Sequence, residues 1–431
     1  MKENKNLAFI WWITITASLG GLLFGYDTAV ISGTLSMVRS QFALNAAMEG
    51  WYVSSALVGC VVGVSYAGWL SDKYGRKKVL LMAAVLFTVS ALGCALVSSF
   101  STLAIYRLLG GMGVGIASML SPMYISEISP PAIRGRLVAV YQLAITVGIL
   151  LSYLINAWLL EQSAGPVLFD SNKLTLAFKT EVWRGMLGME AVPATLFFML
   201  LILVPESPRW LVINGKIEKA KLILVKTSGE KESEIEIKEI FESLETEKKS
   251  KNLILEPGIK LAVFLGVSLA VLQQFTGIDA IIYYGPRIME TAGFALNDAL
   301  ASQVIIGAIN LIFTILAILL IDKFGRKPLL LSGTFGMFVS VIAIGFLFWF
   351  NYAEGILLLS LLLVFIASFA FSLGPVVWVI LSEIYPTKIR GRAMSVATMA
   401  VWIGTALLGQ FLPLSLDNLG PAGTFWIFGF F

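Results

Sequence analysis

The feature that most limits the fold is the recurrence of apolar runs, each about 20 residues long, from one end of the chain to the other. They lie at Leu7 to Ser32, Tyr52 to Leu70, Val79 to Val97, Leu103 to Ile125, Leu137 to Leu160 and Met186 to Val204. After a charged interval come Leu261 to Tyr284, Val304 to Ile321, Leu329 to Phe350, Ile356 to Leu381 and Met394 to Leu416. Coiled as helices, runs of this length match the hydrocarbon thickness of a bilayer. The composition agrees: 13% of residues are charged, against roughly 25% in soluble domains. The chain therefore reads as an all-α membrane protein, and its natural partner is the lipid bilayer. A twelfth run, Thr424 to Phe431, is too short to cross, which predicts a chain cut short at its C-terminus.

Charge sets the expected orientation. With the N-terminus cytoplasmic, short inner segments hold 14 Lys and Arg, and the outer loops hold five: Arg39, Lys173, Lys179, Arg184 and Arg287. Another 11 fall in the central interval, also inside, as the positive-inside rule requires. The net charge of +4 is thus a topology signal, with no nucleic-acid partner implied. Cys60 and Cys94 both fall within runs, so no disulfide framework is expected. The first run is too long for a cleavable signal peptide. No Asn-x-Ser/Thr acceptor occurs, which favours a bacterial inner membrane. With no phosphate loop, metal cluster or nucleophile arrangement to be found, neither an enzyme nor a cofactor or metal is expected.

The chain also repeats itself. GWLSDKYGRKKVLL, Gly68 to Leu81, returns as ILLIDKFGRKPLLL, Ile318 to Leu331, pairing Asp72 with Asp322 and Arg76 with Arg326. SEISPPAIRGR, Ser126 to Arg136, returns as SEIYPTKIRGR, Ser382 to Arg392, pairing Glu127 with Glu383 and Arg134 with Arg390. GYD at Gly25 to Asp27 meets GID at Gly277 to Asp279. Two six-span halves of parallel topology, residues 1–205 and 259–431, are therefore expected, the architecture of secondary transporters. Between them, residues 206–258 are rich in Lys and Glu, with Ile237, Ile240, Phe241 and Leu244 on one helical face. Short amphipathic helices on the cytoplasmic surface are expected there, a solvated linker being the alternative.

Three ionisable side chains interrupt the runs of the first half: Asp27, Arg107 and Glu190. A charge near the bilayer core costs roughly 2.5 to 3.5 kcal/mol on insertion scales, so it persists with a partner or a task. Counted from the run ends at about 1.5 Å per residue, all three reach one depth below the outer surface. An Asp beside a buried Arg stays ionised, and one that loses the Arg takes a proton readily. With no His in the chain, a proton carrier must be a carboxylate, Asp27 first and Glu190 second; a static ion pair is the alternative. At the inner face, Asp72 and Arg76, Asp322 and Arg326, and the helix-end acids Glu127 and Glu383 read as gate latches that hold the outward-open state, positive-inside anchoring being the alternative for the arginines. Arg134, Arg136, Arg390 and Arg392 are candidate partners of the last two.

The seventh run reads LQQFTGIDAIIYYGP, with Gln273, Gln274, Asp279, Tyr283 and Tyr284 on a segment softened by Gly277, Gly285 and Pro286. Such side chains call for a polar cavity, as do Gln142 and Asn310. Amides both donate and accept, which suits a neutral polyhydroxylated ligand, and Trp378 and Trp402 can stack on its apolar ring faces. Interhelical glue is the alternative for the polar set, and interfacial packing for each Trp.

At this point the chain resembles the sugar porter family of the major facilitator superfamily over essentially its whole length. The motifs are GYDTAVISG, GWLSDKYGRKK, SEISPPAIRGR, PESPRWL at Pro205 to Leu211, QQFTGIDAIIYY, DKFGRK, GPVVWVILSEIYP and the second RGR. The resemblance implies the major facilitator fold, with twelve helices in two halves, the last one truncated here. It implies a proton-coupled monosaccharide symporter with sugar and proton as partners, because Asp27, Arg107 and Glu190 match coupling positions that facilitative uniporters of the family lack at the first-span aspartate. The family's sugar contacts fall on Phe24, Gln142, Gln273, Gln274, Tyr283, Asn310, Gly374, Trp378 and Trp402. Asp279 departs from the family's usual Asn and adds a titrating group or a permanently protonated acid. Ile149 and Val401 replace glutamines of the xylose-type transporters, so a less polar pocket is expected, and the PETKG-like segment after the last span is absent. A uniporter, a cyclitol symporter and a membrane sugar sensor are the competing functions, and a monomer is expected.

Overall fold

A computed structural model describes residues 6–165, 175–249, 257–353, 355–385 and 390–431. Six long helices come first: α1 (Leu7–Phe42), α2 (Ala46–Tyr74), α3 (Arg76–Leu96), α4 (Phe100–Ile128), α5 (Arg134–Ser163) and α6 (Val182–Leu203). Three amphipathic helices follow, α7 (Pro208–Ile213), α8 (Ile217–Ser228) and α9 (Glu230–Lys249). The second series opens on one span in two pieces, α10 (Pro257–Phe275) and α11 (Ile278–Thr291). It continues with α12 (Leu296–Phe324), α13 (Arg326–Trp349), the pair α14 (Gly355–Phe371) and α15 (Leu373–Ile384), and α16 (Arg390–Phe430). Among the described residues, eleven spans are long and apolar enough to cross a bilayer, against the twelve expected. Residues after Gly420 continue as a short helical segment.

The helices outrun the apolar stretches because polar caps, rather than hydropathy, set their ends. The side chains of Asn6, Asn45 and Ser99 accept from the backbone N–H of Phe9, Met48 and Thr102 at 3.0, 2.9 and 3.3 Å, satisfying donors that a helix start leaves open. Breaks also have local causes. α6 is interrupted at Met189 and Glu190, where Pro193 has no N–H to offer the Met189 carbonyl. Between α10 and α11, Gly277 takes φ +92°, and a Cβ there would strike the Phe428 ring. Only glycine meets both demands.

Close helix contacts use missing side chains. Along α2 and α4, a Cβ at Gly59, Gly111 or Gly115 would fall on the backbone carbonyl of Leu108, Ala56 or Cys60. Lipid offers no hydrophobic drive to associate, so backbone proximity is what binds such helices. α1 and α5 pack in the same way through Gly25 and Gly148. The two series meet along α2 with α16, α5 with α12, and α1 with α11. The first two joints are the same joint under the sequence repeat, which maps the second span on the eighth and the fifth on the eleventh.

The charged interval holds helices, as its periodicity predicted. Trp210, Leu211 and Val212 of α7 and Ala220 of α8 form a small core, filled by Ile237 and Ile240 of α9. Phe241, expected on that face, is exposed. The side chain of Leu244 lies outside the described residues. The end of the bundle carrying α7–α9 is called the linker end below, and the opposite end the distal end.

Candidate functional site

Asp27 sits just past the middle of α1 and Arg107 two turns into α4. Arg107 Nη1 donates to Asp27 Oδ1 at 2.5 Å, and both side chains are buried, 3% and 4% exposed. Glu190 reaches the same cluster from the break in α6, interacting with both partners, and its Oε1 has no hydrogen-bond partner among the described residues. One guanidinium therefore faces two carboxyls. A fully ionised trio would carry a net negative charge in a low-dielectric interior, a state that proton uptake relieves.

A narrow cavity with room for about one water adjoins the pair. Asp27, Thr28, Arg107, Tyr283 and Trp402 are among its walls, so it joins the acid cluster to the second series of helices. The Phe24 ring lies 5.2 Å from that of Trp402, tilted by 50°. Beside it, Gln274 Nε2 donates to Asp279 Oδ2 at 2.8 Å and to the Thr405 hydroxyl. Gln273 Nε2 donates to the Leu373 carbonyl at 2.9 Å, leaving its Oε1 without a partner among the described residues. Of the other expected contacts, Asn310 is buried on α12, and Gln142, Gly374 and Trp378 are half-buried on α5 and α15. These four do not line that cavity. Ile149 and Val401 are buried apolar side chains.

At the linker end, Arg76 meets Glu127 through two bonds of 3.1 Å and Asp72 through a third of 3.1 Å. Arg134 does not pair with Glu127: its guanidinium turns back to the Ser129 carbonyl at 3.3 and 3.4 Å, capping the end of α4. Arg326 holds Glu383 at 3.0 to 3.1 Å. Each of these pairs ties helices of one series together. The side chains of Asp322 and Arg390 lie outside the described residues. Sequence reasoning assigned no task to PESPRWL. The Ser207 hydroxyl donates to Glu127, the Glu206 carboxylate accepts from the Lys77 N–H at 3.0 Å, and Trp210 Nε1 donates to the Asp72 carbonyl at 2.9 Å.

The distal end holds a cluster that sequence reasoning missed. Arg287 of α11 pairs with Glu49 of α2, and also with Asp417 at 3.0 Å. Arg39 stands 3.4 Å from the same Glu49, which is fully buried. The Ser36 hydroxyl donates to Glu290 at 2.5 Å, and Ser54 Oγ donates to Gln410 at 2.7 Å. The Arg287–Glu49, Ser36–Glu290 and Ser54–Gln410 bonds cross between the two series and hold the distal end together, while Arg39–Glu49 and Arg287–Asp417 each stay within one series. The only signal in the sequence was a charge just outside each apolar run, which positive-inside counting treats as loop.

Eleven spans in two series, with a buried acid and guanidinium cluster and polar side chains at their joint, make up the architecture of a membrane transporter. The chain belongs to the sugar transporter family: the family model described as sugar (and other) transporter matches residues 13–431. It is 43% identical over 427 residues to an arabinose-proton symporter of Bacillus subtilis, covering 99% of this chain and 90% of that one. It is 40% identical over 462 residues to a D-xylose-proton symporter of Escherichia coli, covering 100% and 91%. Among solved structures, the partially occluded inward-open conformation of the xylose transporter XylE of E. coli matches at TM-score 0.83 and 38% identity, covering 98% and 96%.

Proposed function

We propose that this protein is a proton-coupled symporter that imports a neutral pentose or hexose across a bacterial inner membrane by alternating access. The observation that carries the reading is the buried Asp27–Arg107 pair with Glu190 beside it, opening on a cavity shared with Tyr283 and Trp402. Residues 1–205 and 259–431 are the two moving halves, joined by 206–258, and the linker end is cytoplasmic. Bonds between the two series gathered at the distal end support an inward-facing reading of this arrangement.

In this scheme Asp27, exposed to the outside, takes up one proton and releases Arg107. Gln142, Gln273, Gln274, Tyr283 and Asn310 hydrogen-bond the sugar hydroxyls, and Phe24, Trp378 and Trp402 cover its apolar ring faces. The halves then rock, and the proton leaves Asp27 to cytoplasmic water as Arg107 returns. The Arg76–Glu127 and Arg326–Glu383 pairs keep the inner end of each half rigid. One charge moving through 100 mV is worth about 2.3 kcal/mol, enough for roughly 50-fold accumulation. The test is uptake of labelled arabinose, xylose, galactose, glucose and inositol by cells expressing the protein. Uphill uptake of at least one aldose, collapsing with a protonophore, is expected. Downhill uptake indifferent to the protonophore would make the protein a uniporter.

A further inference from the structure

Asp279 is a second buried carboxyl, 7% exposed, and its surroundings differ in kind from those of Asp27. Among the described residues, no ion pair reaches it. Its recorded donor is Gln274 Nε2, at 2.8 Å from Oδ2. The nearby Thr405 hydroxyl donates to the Val401 carbonyl at 3.0 Å and accepts from Gln274. An ionised Asp279 would therefore be a buried anion with one recorded amide donor. A protonated Asp279 still accepts from Gln274 and brings no charge into the low-dielectric interior. Burying an unpaired carboxylate is the costlier choice by far.

The neighbours do not supply the missing cation. The hydroxyl of Tyr153 on α5 is spent on the Ile282 carbonyl at 3.2 Å, and Tyr283 on α11 is buried and neutral. On α1 and α4, Asp27 and Arg107 are engaged with each other. Along α11 itself, Arg287 is held by Glu49 and Asp417, and Glu290 by Ser36. α12 brings Gln303 and Asn310, α16 brings Thr405, and α10 brings the two glutamines, none of them charged. α14 presents no ionisable side chain among its described residues.

We propose that Asp279 is a proton-bearing residue of the sugar site, distinct from the Asp27 coupling group, and that sugar binds only while Asp279 is neutral. This rests on the symporter reading. A neutral acid keeps Gln274 and Thr405 in place beside the cavity, whereas its anion would draw their donors to itself and attract water. Sugar affinity must then fall at alkaline pH even when Asp27 no longer titrates.

The experiment uses the full chain in lipid nanodiscs, in the D27N background, with arabinose and xylose as probes and calorimetric binding from acidic to alkaline pH. Affinity is expected to weaken about tenfold per pH unit above the titration of Asp279, and D27N/D279N is expected to bind without that dependence. Flat affinity in D27N would overturn the proposal, as would D279N that folds yet binds neither sugar at any pH. A sugar-independent readout separates this from failure of the symporter reading: infrared titration should show a protonated-carboxyl C=O band that D279N lacks. Absence of that band would overturn the proposal, whatever sugar the protein carries. If the band is present and neither wild type nor D27N binds any sugar tried, the symporter reading fails and the assigned role of Asp279 in sugar binding fails with it.

Discussion

The chemistry at residue scale is a competition for one guanidinium. Arg107 bonds Asp27 at 2.5 Å while Glu190 stands unmatched on one oxygen, so removing Arg107 leaves two buried carboxyls without a cation, whereas removing Asp27 leaves Glu190 to balance it. Asp27→Asn is expected to abolish uphill sugar uptake while sugar exchange across the membrane persists, measured with labelled sugar in proteoliposomes. Arg107→Leu should destabilise the fold by roughly 3 to 5 kcal/mol, the cost of a buried pair broken from one side. The double variant, Asp27→Asn with Arg107→Leu, should recover part of that loss, and thermal unfolding in detergent reads both. An equal fall in the double variant would mean that Arg107 stabilises through packing rather than charge. These three positions were legible in the sequence because each is a lone charge in an apolar run. The partner of Glu127 was not: Arg76 and Arg134 are equally plausible as neighbours in a linear chain, and only the turn after Ser129, which folds Arg134 back on α4, decides between them.

Elements were readable where hydropathy and repeat both speak, and unreadable where a single residue sets the geometry. The spans and their order followed from apolar runs of bilayer length. The break in α6 did not, since one proline three residues beyond Glu190 causes it. Gly277 was recognised as soft, whereas Gly285 and Pro286, singled out with it, lie inside a continuous α11. The contact of α2 with α4 is set by atoms that are absent: Gly111 has the Ala56 carbonyl where a Cβ would stand. Gly111→Val is therefore expected to separate these helices, giving a sharp loss of folded protein in the membrane, measured by fluorescence-detected size exclusion. Gly135, with nothing within 4 Å of its would-be Cβ, is the control, and Gly135→Ala should leave the profile unchanged.

For the whole molecule, the sequence repeat foretold two halves but not which face would be closed. Bonds across the joint gather at the distal end, around Glu49, Arg287 and the Ser36–Glu290 contact. Breaking them should favour the opposite conformation. Arg287→Ala is expected to lengthen spin-label distances between α2 and α11 at their distal ends, read by double electron–electron resonance, with sugar-free protein moving most. Unchanged distances would mean that helix packing alone holds that end shut.

The most direct test of the account is proton movement itself. Proteoliposomes carrying the protein, lightly buffered outside, receive in turn each sugar of the uptake panel, and external pH is followed. Alkalinisation with at least one sugar, absent from the Asp27→Asn variant, is the predicted result. Sugar entry with no change in pH would contradict it, and Asp27 would then be a structural partner of Arg107 in a uniporter.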